Sequence, residues 1–263
     1  MIGLKFKIGD LVTRISHEHD ILFKIIEIDD ERVILKGVDL RLYADSNIDD
    51  LVISSNKSGS SDRNIIEKNI KELNIDRSQY FYLPGKILHI DGDSEYLERC
   101  MNFYKSMGVR ANGFHISEGD VSNKICFLLK EYTPDIVVIT GHDAYYKKRN
   151  DLDDLNNYQN TERFVDAVIA ARKYEKCHDK LIIIAGACQS NYESLIKAGA
   201  NFASSPKRIN LHALDPAIIA TSIALSDSNK SIDLIKIIGK TKYGKDGIGG
   251  IITNGTMYVG YPR

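Results

Sequence analysis

The chain reads as an α/β protein, a mostly parallel sheet flanked by helices, preceded by a small all-β barrel of the SH3-like kind. Three observations predict this. Short runs near the start alternate apolar and polar residues, with turn residues between them. From Lys86 onward, apolar runs alternate with segments of helical period. Two of those runs, 135–141 and 180–187, are continuously apolar over most of their length, the mark of strands buried on both faces.

Residues 4–8, 22–28 and 32–36 are period-two runs punctuated by Gly9-Asp10, Asp29-Asp30 and Gly37. They predict a four- or five-stranded antiparallel barrel ending near Ile53, so that 1–54 forms an accessory or docking module. Residues 54–62 are a Ser-rich flexible linker, 63–82 one charged connector helix, and Pro84-Gly85 marks a boundary, making 55–85 a connector. In the remaining domain, 86–263, the predicted order is strand 87–90, helix to about 106, strand 109–116, helix 122–132, strand to 141, and a polar loop. Helix 161–174, strand 181–187 and a short helix 190–198 follow. After Asn201 the pattern loosens to a helix near 216–225 and a Gly-rich tail, 239–260, suited to edge strands.

Bulk composition narrows the function. The chain is 43% hydrophobic and 27% charged with net charge -1, which argues against nucleic acid or an anionic membrane as the main partner. No basic-then-apolar leader opens it, and no apolar run approaches the roughly 18–20 residues that span a bilayer, so a soluble intracellular protein is expected. Cys100, Cys126, Cys177 and Cys188 include no C-x-x-C pair, which argues against a disulfide framework or zinc site. Cys100 and Cys126 fit core thiols and Cys177 a loop bystander. His89, His115 and His212 lack metal-ligand spacing and read as structural, while His17 and His19 sit in a turn of the first module. No metal or cofactor is expected.

Two strand ends carry the chemistry. The run to Gly141 delivers His142-Asp143 to the rim of the sheet, and the run to Ala187 delivers Cys188 one strand–loop–helix unit later. A thiol and an imidazole on adjacent rim positions are the minimum for a cysteine nucleophile with its base. A helix following Cys188 would place positive partial charge near its sulfur, and backbone N–H groups of Cys188 and Asp143 can hold an oxyanion. Asp143 equally suits orienting the imidazole or capping a turn.

A strand ending in His and a later one ending in Ala-Cys resemble the caspase-type cysteine peptidases, although Gly141-His142-Asp143 and Gly186-Ala187-Cys188 depart from their usual His-Gly and Gln-Ala-Cys. The chain is similar over nearly its whole length to the YabG family of sporulation peptidases. Lys7-Ile8-Gly9-Asp10, Gly37-Val38-Asp39-Leu40-Arg41-Leu42 and His89-Ile90-Asp91-Gly92-Asp93 carry this resemblance first. It continues through Thr140-Gly141-His142-Asp143-Ala144-Tyr145, Ala185-Gly186-Ala187-Cys188-Gln189-Ser190 and the stretch from Ala200 to Arg208. The resemblance implies a caspase-like fold and a cysteine endopeptidase made in the mother cell. It would trim spore coat and germination proteins after basic residues and process itself, with Cys188 as nucleophile and His142 as base.

A basic substrate side chain needs a carboxylate. Asp91 and Asp93 at the first strand end are the candidates, and they equally suit a turn with a helix cap. Asp215 before Pro216 is a weaker candidate and fits an N-cap. Residues 204–208 suit either a groove border or a surface loop. Arg63 and Arg77 in the connector are plausible points of self-cleavage. The rival reading is a non-catalytic coat scaffold. A glutamine amidotransferase fits less well, because Ser190 stands where its Gly-x-Cys-x-Gly elbow needs glycine.

Overall fold

The computed structural model describes residues 6–54, 60–73, 78–146 and 151–262. The chain divides into two units, Met1–Ile65 and Ile66–Arg263. In the first, β1 (Leu11–Arg14), β2 (Phe23–Asp29), β3 (Arg32–Gly37), β4 (Tyr43–Asn47) and β5 (Leu51–Ile53) form one antiparallel sheet, ordered β4-β3-β2-β1-β5. Phe23, Ile25, Val33 and Leu35 point into its core with Phe6, Val12 and Leu51. Period two breaks after Ile25, where a bulge inserts Ile26 and brings Ile28 back to the core side.

The strand expected over 4–8 is a correction. Residues 4 and 5 lie outside the described residues, and from Lys7 the chain turns, with the Asp10 carboxylate accepting the Lys7 N–H at 2.9 Å. Among the described residues the sheet therefore begins at Leu11. The connector also differs from expectation. The linker residues 55–59 lie outside the described residues, and α1 (Ser60–Glu72) ends well before residue 82. Aromatic, β-favouring residues then form β6 (Phe81–Leu83), which pairs antiparallel with β13 (Tyr258–Gly260).

The main sheet of the second unit is built from β7 (Ile87–Asp91), β8 (Ala111–His115), β9 (Ile136–Thr140), β10 (Ile182–Ala185), β11 (Phe202–Ser204) and β12 (Ile248–Gly250). Its order is β12-β11-β10-β9-β7-β8, parallel throughout except for β12. Every residue of β7, β9 and β10 is buried, the apolar runs of β9 and β10 as expected for strands covered on both faces and β7 with His89 and Asp91 among its Ile and Leu. The helices are α2 (Ser94–Ser106), α3 (Val121–Tyr132), α4 (Thr161–Tyr174), α5 (Tyr192–Ala198), α6 (Asp215–Ala224) and α7 (Leu234–Ile238).

Leu88, Ile90, Val137, Ile139 and Ile183 form one face of the sheet and pack under α3, α4 and α5. Each such side chain contributes about 1.5–3 kcal/mol by leaving water. The alternate residues meet α2 and α6 on the other face. The short strand β11 and helix α7 fall where the sequence pattern gave no element. Among the described residues, no helix is long and apolar enough to cross a membrane.

The strand order fixes where a ligand crevice opens. From β7 the chain crosses to β8 on one side, then returns to β9 on the other. Helices leaving in opposite directions open a crevice beyond the carboxyl ends of β7 and β9. Asp91-Gly92-Asp93 and Gly141-His142-Asp143 stand there.

Candidate active site

Strand register places the candidate residues. Asp91 is paired with Thr140 across β7 and β9, and two residues further on stand Asp93 and His142. Ile139 is paired with Ala185 across β9 and β10, and three residues further on stand His142 and Cys188. Asp93, His142 and Cys188 therefore occupy equivalent positions beyond three adjacent parallel strands.

His142 is held from several sides. Its backbone N–H donates to Glu118 Oε1 at 2.8 Å, and its carbonyl accepts from Asn160 Nδ2 at 2.8 Å. Glu118 reaches in because Gly92 and Gly141 leave room; a Cβ at either would collide with its carboxylate. The ring lies 5.9 Å from the Tyr96 ring and places Nε2 3.1 Å from Asp93 Oδ2. The imidazole side chain is 21% exposed, enough to meet a substrate, whereas Asp93 is 5% exposed.

Asp93 also forms the N-cap of α2, with Oδ1 accepting the N–H groups of Glu95 and Tyr96 at 3.0 and 3.1 Å. Asp91, read from sequence as a second carboxylate for substrate, has no exposed surface. Its Oδ1 accepts the Asp93 N–H at 2.9 Å and its Oδ2 the Thr140 hydroxyl at 2.8 Å. Thr140 in turn meets His89 Nε2 at 3.0 Å, and His89 Nδ1 meets the Tyr104 hydroxyl at 2.8 Å. Asp91 and His89 thus belong to a buried polar chain beneath the rim. Asp215 is the first residue of α6, and its carboxylate accepts the N–H groups of His212 and Lys242.

Cys188 lies on a turn after β10 and is 3% exposed. Gly186, at φ +102°, lets the chain leave the strand there, and Gln189 takes the left-handed conformation at φ +60°. That strained residue is fastened on several sides. Its N–H donates to Ser205 Oγ and the Ile209 carbonyl, and its side chain joins the Tyr145 N–H and Asn210. The same loop brings the Leu211 N–H to 3.1 Å from Cys188 Sγ. An N–H aimed at sulfur places partial positive charge where a thiolate would form. The sequence assigned that part to the helix after Cys188, but α5 begins only at Tyr192, capped by Asn191. Nothing in the sequence marks Leu211 for this contact.

Asp143 is buried, and its carboxylate does not reach the imidazole. Oδ1 accepts from the N–H groups of Ala144 and Asn160, and Oδ2 from the Thr161 and Ser190 hydroxyls. Ser190 Oγ also accepts the Ala187 N–H at 2.9 Å, so Asp143 ties the loop after β9 to the turn bearing Cys188. Burial pushes its carboxyl above the usual carboxylate range, partly offset by those hydrogen bonds. Of the 204–208 stretch, Ser204 ends β11 and the rest is a loop in which Arg208 bonds the Tyr158 hydroxyl at 3.0 Å and Glu193 at 2.5 Å. Glu118 was missed by sequence reasoning; the two glycines that cradle it were its only trace.

The family model described as YabG peptidase U57 matches residues 7–262. The sporulation-specific protease YabG of Bacillus subtilis (strain 168) is 41% identical over 286 aligned residues, which cover 98% of this chain and 99% of that protein. A match of this extent, with both chains aligned almost end to end, means that the chain belongs to the YabG peptidase U57 family.

Proposed function

We propose that the chain is a cysteine endopeptidase acting through Cys188 and His142. The observation that carries this reading is their equivalent placement three residues beyond the paired Ile139 and Ala185, on adjacent strands. His142 takes the thiol proton, and the sulfur attacks the peptide carbonyl carbon, moving the π electrons onto oxygen. Backbone N–H groups of Cys188 and Asp143 hold that oxyanion. Collapse of the intermediate breaks the C–N bond, and the leaving amine takes the proton from His142. Water, deprotonated by the imidazole, then releases the acyl group from sulfur.

That the Bacillus subtilis relative is a sporulation-specific protease supports a role in sporulation. Spore coat and germination proteins are the proposed substrates, met in the mother cell and cleaved after a basic residue. Half-buried Glu118, beside His142 at this end of the sheet, is the carboxylate that suits that preference. Self-processing in the connector belongs to the same reading. The order β8-β7-β9-β10-β11 with antiparallel β12 accords with a caspase-like domain, and the five-stranded first unit with an SH3-like one.

The test is incubation of wild type, Cys188→Ala and His142→Ala with a peptide library, with mass spectrometry of both peptides and enzyme. Cleavage after basic residues by wild type alone is expected, with iodoacetamide labelling Cys188 faster than Cys100, Cys126 or Cys177. A folded Cys188→Ala protein that cleaves like wild type would overturn the proposal. Equal, slow labelling of all four thiols would favour the non-catalytic scaffold.

A further inference from the structure

We propose that Asp93 is the positioning residue for His142: its carboxylate accepts the Nε2–H, fixing the ring with Nδ1 as the basic nitrogen. This rests on the cysteine-peptidase reading above and adds a third member to it.

The geometry is closely determined. Asp93 is clamped through its backbone and side chain together, since its N–H donates to Asp91 Oδ1 at 2.9 Å while Oδ1 caps α2 through Glu95 and Tyr96. Oδ2 is thereby presented to His142 Nε2 at 3.1 Å. With the His142 N–H on Glu118 and its carbonyl on Asn160, the backbone of the histidine is fixed as well. The Asp93 contact sets the rotation of the ring. A carboxylate can accept only from a nitrogen that carries hydrogen, so a neutral imidazole keeps its lone pair on Nδ1. When that nitrogen takes a proton from the thiol, the imidazolium forms against a fixed anion that needs no reorganisation.

Asp93 and Tyr96 at the start of α2 meet the imidazole itself, Glu118 after β8 and Asn160 before α4 hold the backbone of the histidine, and Cys188 stands at the equivalent position beyond the next strand. Asp93 is the acidic side chain whose oxygen meets the ring. The same carboxylate is poorly placed for a substrate cation. Oδ1 already accepts two N–H groups and Oδ2 faces the histidine, in a side chain 5% exposed.

Asp93→Asn separates structure from catalysis, because asparagine caps helices about as well as aspartate. The melting temperature should move by less than about 3 °C. kcat should fall by roughly tenfold to a hundredfold, with KM and the cut sites unchanged. Asp93→Ala loses the cap too and should lower both melting temperature and kcat. A kcat equal to wild type in folded Asp93→Asn overturns the proposal. So does a raised KM with unchanged kcat and altered cut sites, which would make Asp93 a substrate contact.

A readout that needs no turnover is the downfield imidazole N–H resonance of His142 in NMR. It should be present in wild type and in Cys188→Ala, and lost in Asp93→Asn; its persistence in Asp93→Asn also overturns the proposal. The two readings fail separately. Cleavage by Cys188→Ala removes the nucleophile, whereas wild-type kcat in Asp93→Asn beside an inactive Cys188→Ala removes Asp93 alone.

Discussion

Replacing Gly141 by alanine puts a methyl group where the Glu118 carboxylate lies. The backbone at 141 is outside the left-handed region, so alanine itself is not strained there. The carboxylate is the far end of a flexible side chain, and it can yield only by leaving the His142 N–H, 2.8 Å away. A hydrogen bond to a charged acceptor is worth about 1.5–3 kcal/mol, and half-burial of both groups favours the lower figure. Gly141→Ala should therefore destabilise the chain by about 1.5 kcal/mol. Release of the His142 backbone should also cost roughly tenfold to a hundredfold in kcat/KM through displacement of the imidazole.

In a Glu118→Ala background the bond is already gone, and so are the three atoms that the methyl group would approach most closely. There the same substitution should be neutral, or stabilising by about 0.4–1 kcal/mol through the unfolded chain. Urea denaturation of the four proteins in the double-mutant cycle, with kcat/KM on one cleaved peptide, gives the coupling directly. The structure predicts at least about 1.5 kcal/mol. An equal cost of Gly141→Ala in both backgrounds would refute the cradle that Gly92 and Gly141 make for Glu118.

Two other substitutions probe the loops around the thiol. Burial holds the Asp143 carboxyl above its ordinary value of 3.8, so its contribution is greatest below 3.8 and is lost as pH rises through the higher folded value. Wild type should thus gain stability relative to Asp143→Asn as pH falls from 7 towards 4, read by denaturation at each pH; a gap that is constant or moves the other way contradicts this. Arg208→Ala removes the bonds to Tyr158 and Glu193 and to the carbonyls of Ser205 and Pro206. It should cost about 1–2 kcal/mol and slow Cys188 labelling by loosening the loop that carries Leu211. Arg208→Lys should rescue little of either, since an ammonium cannot span these partners, and full rescue by lysine would count against it.

The strands delivering His142 and Cys188 were legible because a strand buried on both faces must be apolar throughout, and 136–139 and 182–184 are unbroken Ile and Val. Helices α2, α3 and α4 were legible from their stripes and from caps such as Asp93. What escaped notice depends on partners distant in sequence. Phe81–Leu83 looked like the end of a helix until Tyr258–Gly260 supplied its ladder. Phe202–Ser204 is too short to show a period and exists as a strand because β10 lies beside it. Of the run 4–8, which alternates as a strand should, residues 4 and 5 lie outside the described residues, and from Lys7 the Asp10 carboxylate turns the chain. Asp93 was visible as a carboxylate and a cap. Its contact with His142 follows from the register of Asp91 with Thr140, which local pattern does not contain.

A sheet whose middle is three wholly buried strands invites other chains to add to it, and only its margins can refuse them. Here one margin is β12, three residues long and two of them glycine, running against the direction of its neighbours. The other is β8, where Asn112 and Gly113 interrupt the apolar sequence and every residue keeps some exposure. Short, glycine-bearing and polar borders offer a poor template for a further strand. The sheet that presents His142 and Cys188 is thus finite by construction, and copies of the chain at high local concentration have no long apolar border along which to stack.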